Sequence, residues 1–581
     1  MLYAQVIVKQ RTQVQELTYA LSAQIVPYVK VGSLVLVPLR RKRVLGVVVG
    51  FSRSVPKEIK SNIREIIKLD KNTQVFSSSQ IEVIHKLSSY YASPLAEVAF
   101  HALDLPQIWP ETKKINFVKP LILTGPWSQR RDAYERIIAK STGRVLLIFS
   151  QNSYEEDFYQ SVPASVQKNI LRYEKEKSQN KLLTTLSKSG AKAIIGTMGE
   201  VFFPLQSGDT IIIDQPYHVG AKSQLRPFMT SRKIGLLRGE IEGLNVVLGD
   251  SIVSPEDLLA VKEKRFRLVS SKLSCQPLSI LDRRGQTEAI VPSLMEEIAN
   301  SITSKDKVLV LVMARGWASA LVCQDCGYIF SCSNCHRTAG VSAQSLRCCY
   351  CATETDTPKA CPACQSENLK PIGDGVSAVK NYLTNKFKNT HIQELSSDKP
   401  ILEQKTQVVV ATEKIFSFPN IKFDKVFVVS ADRLLSGTHL DGAWRLLAFL
   451  IELQNRSKQI IVQTFFPESI VWTSAATGNV RPFFAQELAN RQQLNLPPYG
   501  AVIVVRGSSS TTEKLFKQAE KITDEILKIL PKADISFPEV DDRSGGMYHG
   551  RFTIYLPKQP QNSLKNKIAS ILPPAWHLDI D

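Results

Sequence analysis

The chain has 581 residues, 43% of them hydrophobic and 22% charged, with 73 Lys and Arg against 54 Asp and Glu for a formal net charge of +19. That length exceeds one hydrophobic core and points to three to five domains of about 150 residues each, while no apolar run approaches the roughly 18 residues of a membrane span and Met1 to Gln10 lacks the apolar centre of a signal peptide. The expected setting is cytoplasmic with no membrane partner, clustered cysteines there signal metal before disulfide, and the positive excess suits a polyanion, with nucleic acid the favoured partner.

From Tyr3 to Phe51 apolar and polar residues alternate with period two, in Ala4 to Val8, Ser33 to Pro38 and Val44 to Gly50, the pattern of a small sheet or barrel. Residues 1–70 hold twelve basic and four acidic side chains, a local net charge of +8. The run Arg40-Arg41-Lys42-Arg43 falls between two of the strands, where a hairpin loop can present it to phosphates. Residues 80–103 read as helix, with Tyr90, Tyr91 and His101 as packing residues. After a Pro-containing linker, Leu105 to Pro110, residues 118–270 alternate apolar strands with amphipathic helices, the mark of an α/β domain. Strands are expected at 120–124, 145–149, 193–196, 210–214 and 246–249. A second α/β unit opens at Val308 to Val312 and returns through 408–411, 426–429 and 460–463. A final α+β segment carries a long helix, Thr512 to Leu530, and strands at 502–505 and 552–555.

The second unit is interrupted by eight of the ten cysteines, set as four C-x-x-C knuckles: Cys323/Cys326, Cys332/Cys335, Cys348/Cys351 and Cys361/Cys364. One knuckle supplies two thiolates to a metal and a second completes the tetrahedral Cys₄ shell that zinc accepts, so two zinc ions per chain are expected. Spacing leaves the pairing open between neighbouring, alternating and nested knuckles, and Cys349 lies inside the third. With little apolar sequence of its own, the module is expected to be held by metal, at on the order of 10 kcal/mol per site.

Two α/β lobes with four zinc knuckles in the second, behind a small basic β-domain, resemble the PriA family of primosomal replication-restart helicases. The local matches are Leu321-Val322-Cys323-Gln324-Asp325-Cys326-Gly327 at the first knuckle, Arg315-Gly316-Trp317-Ala318 before it and Gly373-Asp374-Gly375 after the last. Further matches are Tyr90-Tyr91 through Phe100-His101-Ala102-Leu103, and Arg491 with Leu496-Pro497-Pro498-Tyr499. The resemblance spans nearly the whole chain. It implies an N-terminal DNA-binding domain (1–105), a first RecA-like helicase lobe (118–270), a second (271–478, with the zinc module at 321–366) and a C-terminal domain (479–581). It also implies nested zinc pairing, with Cys323, Cys326, Cys361 and Cys364 on one ion and Cys332, Cys335, Cys348 and Cys351 on the other.

The departures fall on the ATPase chemistry. A P-loop, G-x-x-x-x-G-K-S/T, wraps phosphates in backbone N–H groups and adds a lysine and a hydroxyl for Mg²⁺. Here the stretch is Gly125-Pro126-Trp127-Ser128-Gln129-Arg130-Arg131-Asp132, which keeps the first glycine, offers Arg131 in place of lysine and sets a carboxylate where the hydroxyl belongs. The family's D-E-E-H becomes Asp214-Gln215-Pro216-Tyr217: Asp214 can still touch Mg²⁺, but Gln215 cannot polarise water as a carboxylate does. S-A-T is replaced by Asp250-Ser251-Ile252, and of the second lobe's Q-x-x-G-R-x-G-R only Arg456 remains of the arginine pair. G-T-Q-x-x-x-K-G-x-x-F shrinks to Ala411-Thr412-Glu413-Lys414 before Phe418-Pro419. About 20 residues separate Leu103 from Gly125, so the family's intervening winged-helix domain is expected to be missing. F-D-Y, whose acid helps recognise a DNA 3′ end, reads Leu17-Thr18-Tyr19, with Arg64 the basic residue expected to face the same pocket.

These features predict a DNA-binding protein of replication restart that acts at forked or branched DNA without unwinding it, on an inactive helicase scaffold for which ATP and Mg²⁺ are not expected as working cofactors. Primosome proteins, a replicative helicase loader and single-strand binding protein are the implied protein partners. An ATP-driven 3′–5′ DNA helicase with a divergent P-loop and a zinc-dependent protein-interaction scaffold are the competing expectations.

Overall fold

The computed structural model describes residues 2–8, 16–55, 63–102, 118–172, 191–273, 275–286, 288–313, 320–323, 325–326, 328–333, 339–341, 345–348, 353–372, 375–395, 401–435 and 440–580. The fold is multidomain α/β, as the sequence predicts, with two parallel-sheet lobes flanked by smaller antiparallel units. The linker Leu105–Pro110 lies outside the described residues, as do Arg315-Gly316-Trp317-Ala318, Gly373 and Asp374.

The N-terminal sheet comprises β1 (Tyr3–Val8), β2 (Leu17–Ala20), β3 (Ser33–Leu39), β4 (Lys42–Ser52) and β5 (Lys68–Gln74) in the order β2-β1-β4-β3-β5. Its alternation sends Val6, Val35, Val37 and Val44 inward to one small core. Helices α1 (Ser78–Tyr91) and α2 (Leu95–Ala102) follow. A capping box opens α1, since Ser77 Oγ accepts from the Gln80 N–H and Gln80 Oε1 accepts from the Ser77 N–H. Tyr91 is buried, and the Tyr90 ring lies between Lys233 Nζ (3.7 Å) and Lys565 Nζ (4.1 Å). His101 Nε2 sits 2.8 Å from Ser223 Oγ, so these three residues dock the N-terminal helices against their neighbours.

Among the described residues the first lobe has seven strands: β6 (Leu121–Thr124), β7 (Val145–Phe149), β8 (Ile170–Arg172), β9 (Ala193–Gly196), β10 (Thr210–Asp214), β11 (Asn245–Asp250) and β12 (Arg267–Ser270). All are parallel, in the order β12-β6-β11-β10-β7-β9-β8. Helices α3 (Trp127–Lys140), α4 (Asn152–Ser161) and α5 (Ser231–Glu242) cover its faces. The central strands read as unbroken apolar runs because both faces are buried, every residue of β7 and β10 among them.

The second lobe begins with β13 (Leu278–Asp282) and β14 (Val308–Val312). The cysteine-bearing insertion follows, with β15 (Ala320–Cys323), β16 (Gly340–Val341), β17 (Ser345–Arg347), β18 (Glu354–Asp356) and β19 (Leu369–Ile372). The lobe resumes with β20 (Ile392–Leu395), β21 (Val408–Ala411), β22 (Phe423–Ser430), α6 (Gly442–Gln454) and β23 (Ser457–Thr464). Its sheet is parallel in the order β13-β23-β22-β14-β21-β20. Helix α7 (Arg481–Gln493) leads to the C-terminal sheet of β24 (Ala501–Ser509), β25 (Asp534–Ile535), β26 (Glu539–Ser544), β27 (Met547–Leu556) and β28 (Trp576–Ile580), backed by α8 (Thr512–Ile529).

Two apolar cores cross these boundaries. One joins the N-terminal helices, a face of the first lobe and the C-terminal sheet through residues such as Ile84, Ile211 and Val505. The other takes Ile122, Ile252 and Val253 of the first lobe into the core of the second. The lobes therefore share apolar surface directly beside the carboxyl ends of the first lobe's strands.

Candidate functional site: the interlobe cleft, the cysteine cluster and the basic turn

In an open parallel sheet, ligands bind beyond the carboxyl ends of the strands. Four chain segments converge there in the first lobe: Gly125 after β6, Ser150 after β7, Asp214 ending β10 and Asp250 ending β11. Helix α3 begins at Trp127, immediately after the β6 turn, so helical phase decides which of its side chains face the sheet. Trp127, Arg130, Tyr134 and Ile138 share the buried face at spacings of three and four.

Arg130 is 1% exposed. Its Nε donates to Asp214 Oδ1 at 2.9 Å, Nη1 donates to the Gly125 carbonyl at 2.7 Å, and Nη2 lies 3.5 Å from Asp214 Oδ2. The Tyr134 hydroxyl donates to the same Asp214 Oδ1 at 2.6 Å. Burial, the largest single influence, favours loss of the guanidinium proton, but Asp214, Tyr134 and Glu452 together outweigh it and hold Arg130 charged. Burial and the Asp214 carboxylate both push the Tyr134 hydroxyl well above its ordinary range. Close packing reaches Gly249, where an added Cβ would fall 1.6 Å from the Tyr134 oxygen. The space a P-loop leaves for phosphate and Mg²⁺ is thus held by a guanidinium, a carboxylate and a phenol of the chain itself, and these residues do not fit a bound ATP and Mg²⁺.

Across the cleft, Glu452 and Arg456 are one turn apart on and just beyond α6, joined at 2.6 Å. Ser251 Oγ donates to Glu452 Oε2 at 3.0 Å, Arg456 Nη2 donates to the Tyr154 hydroxyl at 2.9 Å, and Arg456 Nη1 donates to the Phe418 carbonyl at 2.9 Å. Burial opposes ionisation of Glu452, yet Arg456 and Arg130 hold its carboxyl below the usual range. Asp250 is pushed up to about 7, by burial first, with Asp214 and Glu452 adding to the shift and Arg130 and the Ser251 N–H opposing it. Two buried cations therefore face two carboxylates and a third acid poised near neutrality. Beyond this cluster Trp444 Nε1 donates to the Val253 carbonyl at 2.9 Å, and Arg491 on α7 bonds Glu256 at 3.2 Å and Asp441 at 2.7 Å.

Of the ATPase positions singled out in the sequence, Gly125 and Asp214 meet at Arg130, and Arg456 lies across the cleft. Arg131 does not join them: it faces outward to Asp132 (3.4 Å) and Asp157 (3.7 Å). Gln215, with φ of 52°, accepts from Gln151 Nε2 at 2.8 Å. Sequence reasoning missed the inward role of Arg130 and the parts played by Tyr134, Tyr154 and Glu452. The Trp127/Arg130/Tyr134 spacing was the available signal.

In the cysteine module, antiparallel pairing of β15 with β19 sets Cys323 opposite Leu369 and carries the first knuckle to the fourth. Cys323 Sγ is 3.6 Å from Cys364 Sγ, and Cys326 Sγ is 3.6 Å from Cys361 Sγ. All four sulfurs lie within 4.8 Å of one another. Zinc–thiolate bonds of about 2.3 Å in a tetrahedron require sulfur–sulfur edges of roughly 3.8 Å, so this set fits one zinc ion. Asp325 latches the same two knuckles, accepting from Ser366 Oγ at 2.5 Å and Asn368 Nδ2 at 2.8 Å. Cys332 and Cys348 are buried together with Phe516 of α8 packed on them. Cys335, Cys349 and Cys351 lie outside the described residues.

In the N-terminal sheet, the β3–β4 hairpin pairs Leu39 with Lys42, which leaves Arg40 and Arg41 at the turn, Arg40 with a left-handed φ of 54°. Arg40, Arg41, Lys42 and Arg43 are all exposed. Arg64 is brought to the same place, its Nη1 donating to the Arg40 carbonyl at 2.8 Å, and Tyr19 lies alongside with its hydroxyl on the Pro38 carbonyl at 3.0 Å.

Comparison with known proteins supplies the context. Residues 5–104 match the sequence model of the 3′DNA-binding domain (3′BD). The replication restart protein PriA of Rickettsia felis is 23% identical in an alignment covering 95% of this chain and 95% of that protein. That of Synechocystis sp. is 27% identical over 67% of this chain and 52% of its own length. A solved structure of the DEAD-box helicase Mss116 bound to ssRNA and UDP-BeF aligns with 67% of this chain and 73% of that one, at 10% identity and a TM-score of 0.33.

Proposed function

Because the chain belongs to the PriA family of replication restart proteins, we propose that it grips forked or branched DNA during replication restart and does so without turning over ATP. The observation that carries the second half is the buried Arg130–Asp214 pair, which stands where a nucleotide's phosphates and metal would have to enter. The first half is supported by the 3′DNA-binding domain match and by the turn at Arg40–Arg43 with Arg64 beside it, exposed cations suited to phosphate. Two zinc ions complete the proposal, one on Cys323, Cys326, Cys361 and Cys364, the other on Cys332, Cys335, Cys348 and Cys351. The proteins it would hand the fork to are primosome components, a replicative helicase loader and single-strand binding protein, in the cytoplasm. No described helix is long and apolar enough to cross a membrane.

The test is phosphate release from ATP by zinc-replete protein on a forked duplex, with Asp214→Ala as control, beside fork binding without nucleotide across a salt series. The expected result is release no greater than the control's, with nucleotide-independent binding that falls as salt rises. DNA-stimulated release well above the control would overturn the proposal and restore the helicase.

A further inference from the structure

The face of the N-terminal sheet opposite its small core is covered by the helices at Val47 and Val49, and past that cover, toward the β3–β4 turn, it carries exposed apolar side chains where solvent-facing strand ends ordinarily set polar ones. Val35, Val37 and Val44 point into the small core, so their neighbours Leu36, Pro38, Arg43 and Leu45 take the opposite face. Register makes the grouping definite: Leu36 lies directly across from Leu45 on one side and from Lys68 on the other, and Pro38 lies across from Arg43. The Ile67 N–H donates to the Leu36 carbonyl at 2.9 Å, which brings Ile67 to the same place. Leu45 is 50% exposed and Ile67 41%. The result is a short apolar ridge with Arg43 and Lys68 at its margins and the Arg40–Arg43 turn at its end.

We propose that this ridge covers the exposed face of the terminal base pair where a duplex opens, while the surrounding cations hold the flanking phosphates. The inference rests on the DNA-binding reading above and adds which part of the DNA is recognised. Cations at the rim of an apolar patch fit a ligand that is apolar at its centre and anionic around it, and an opened duplex end has that form, with a flat base-pair face between two phosphate strands. A continuous duplex offers phosphates but no such face, because each base pair is covered by the next. Apolar wedges of leucine and isoleucine do act against base steps in DNA-bending proteins. The division of labour follows: the cations serve every DNA, and the ridge adds affinity only where stacking is interrupted.

The test uses the full-length zinc-replete chain with Leu45→Ser and Ile67→Ser combined, on three probes: a forked duplex, a blunt duplex, and the same duplex closed by hairpin loops at both ends. A 2-aminopurine at the junction pair reports contact with the base face. The expected result is about a tenfold weaker Kd on the forked and blunt probes, in line with two half-exposed aliphatic side chains losing their burial. Affinity for the closed probe, the salt slope and the Tm should be unchanged. Leu45→Phe should tighten fork binding and quench the 2-aminopurine further, an outcome that misfolding cannot imitate. Equal loss on all three probes, or no loss on any while the wild type still binds DNA, would sink the ridge and leave the DNA-binding reading standing, the second result marking it as a protein-docking face. A wild-type chain that bound none of the probes would overturn the DNA-binding reading and this inference with it.

Discussion

Replacing Arg130 with alanine removes one partner of a buried ion pair and strands the other. Arg130 and Asp214 are 1% and 0% exposed, and the guanidinium supplies bonds at 2.9 Å to the carboxylate and 2.7 Å to the Gly125 carbonyl. After the change Asp214 keeps the Tyr134 hydroxyl at 2.6 Å but loses its counter-charge, and Gly125 loses a donor. Stranding one half of such a pair costs about 3–5 kcal/mol, which in a lobe of this size lowers Tm by about 10 °C. Arg130→Lys should recover only part of that, because a compact ammonium cannot bond Asp214 and the Gly125 carbonyl as a planar fork does. Arg130→Met with Asp214→Leu should be no less stable than Arg130→Ala, since the second change removes the stranded charge although the Tyr134 hydroxyl and the Gly125 carbonyl lose their partners. Scanning calorimetry and urea titration of these variants, with Arg130→Met alone and Asp214→Leu alone, complete a double-mutant cycle with an expected coupling of about 3 kcal/mol. A Tm shift below about 2 °C for Arg130→Ala, or a double variant as unstable as the sum of its singles, would refute the reasoning.

Asp250 supplies a pH prediction of definite sign. Its folded-state pKa, pushed up to about 7, lies above the unfolded value, so the stability its neutral form contributes is fully present below about pH 4 and is lost as pH rises through 7. Asp250→Asn should therefore be more stable than wild type at pH 8, on the order of 2–4 kcal/mol, and indistinguishable near pH 4, read by urea midpoints at both. Cys361→Ser should lower bound zinc by one ion per chain by mass spectrometry under native conditions, and a chelator should expose the module around residues 320–372 to protease; unchanged zinc content would contradict the Cys323/Cys326/Cys361/Cys364 assignment. Arg41→Ala with Lys42→Ala should flatten the salt dependence of DNA binding by roughly two phosphate contacts, with equal effect on every DNA; an unchanged slope would remove the turn from the interface.

What the sequence disclosed depended on how evenly burial was written into it. Val145–Phe149 and Val308–Val312 are buried on both faces and read directly as strands. Edge strands did not: Arg267–Ser270 pairs on one side only and is mostly exposed, and Leu278–Asp282 on the second lobe's margin is no better marked. The knuckles were legible because thiolate spacing is local, but bringing the first to the fourth depends on β15 meeting β19 across the whole insertion. The cleft shows the same limit. Counting along the P-loop motif put Arg131 at the lysine position. The chain instead starts its helix at Trp127, and helical phase then turns Arg130 inward and Arg131 out. Glu452 was invisible for a different reason, since its partner Ser251 is 201 residues away.

A two-lobed motor works by letting ligands open and close the cleft, and a ligand shifts that equilibrium only by its differential affinity, typically about 1–3 kcal/mol. Opening this cleft would break Ser251–Glu452, Arg456–Tyr154, Trp444–Val253 and Arg491–Glu256, and would pull Ile122, Ile252 and Val253 out of the second lobe's core. A bond of this kind exchanged for water costs about 0.5–1.5 kcal/mol, or about 1.5–3 kcal/mol where one partner is charged, and an aliphatic side chain returned to water about 1.5–3 kcal/mol. Discounting by half for contacts that fail together, separation still costs on the order of 5–10 kcal/mol, more than such a ligand supplies. What makes the cleft slow to open also fixes the spacing of the parts it joins. The N-terminal helices and the C-terminal sheet share one core with the first lobe, and the cysteine module rests on α8 through Phe516. A surface already in its bound geometry loses less entropy on association, so a locked cleft suits the proposed recognition of a fork by its shape.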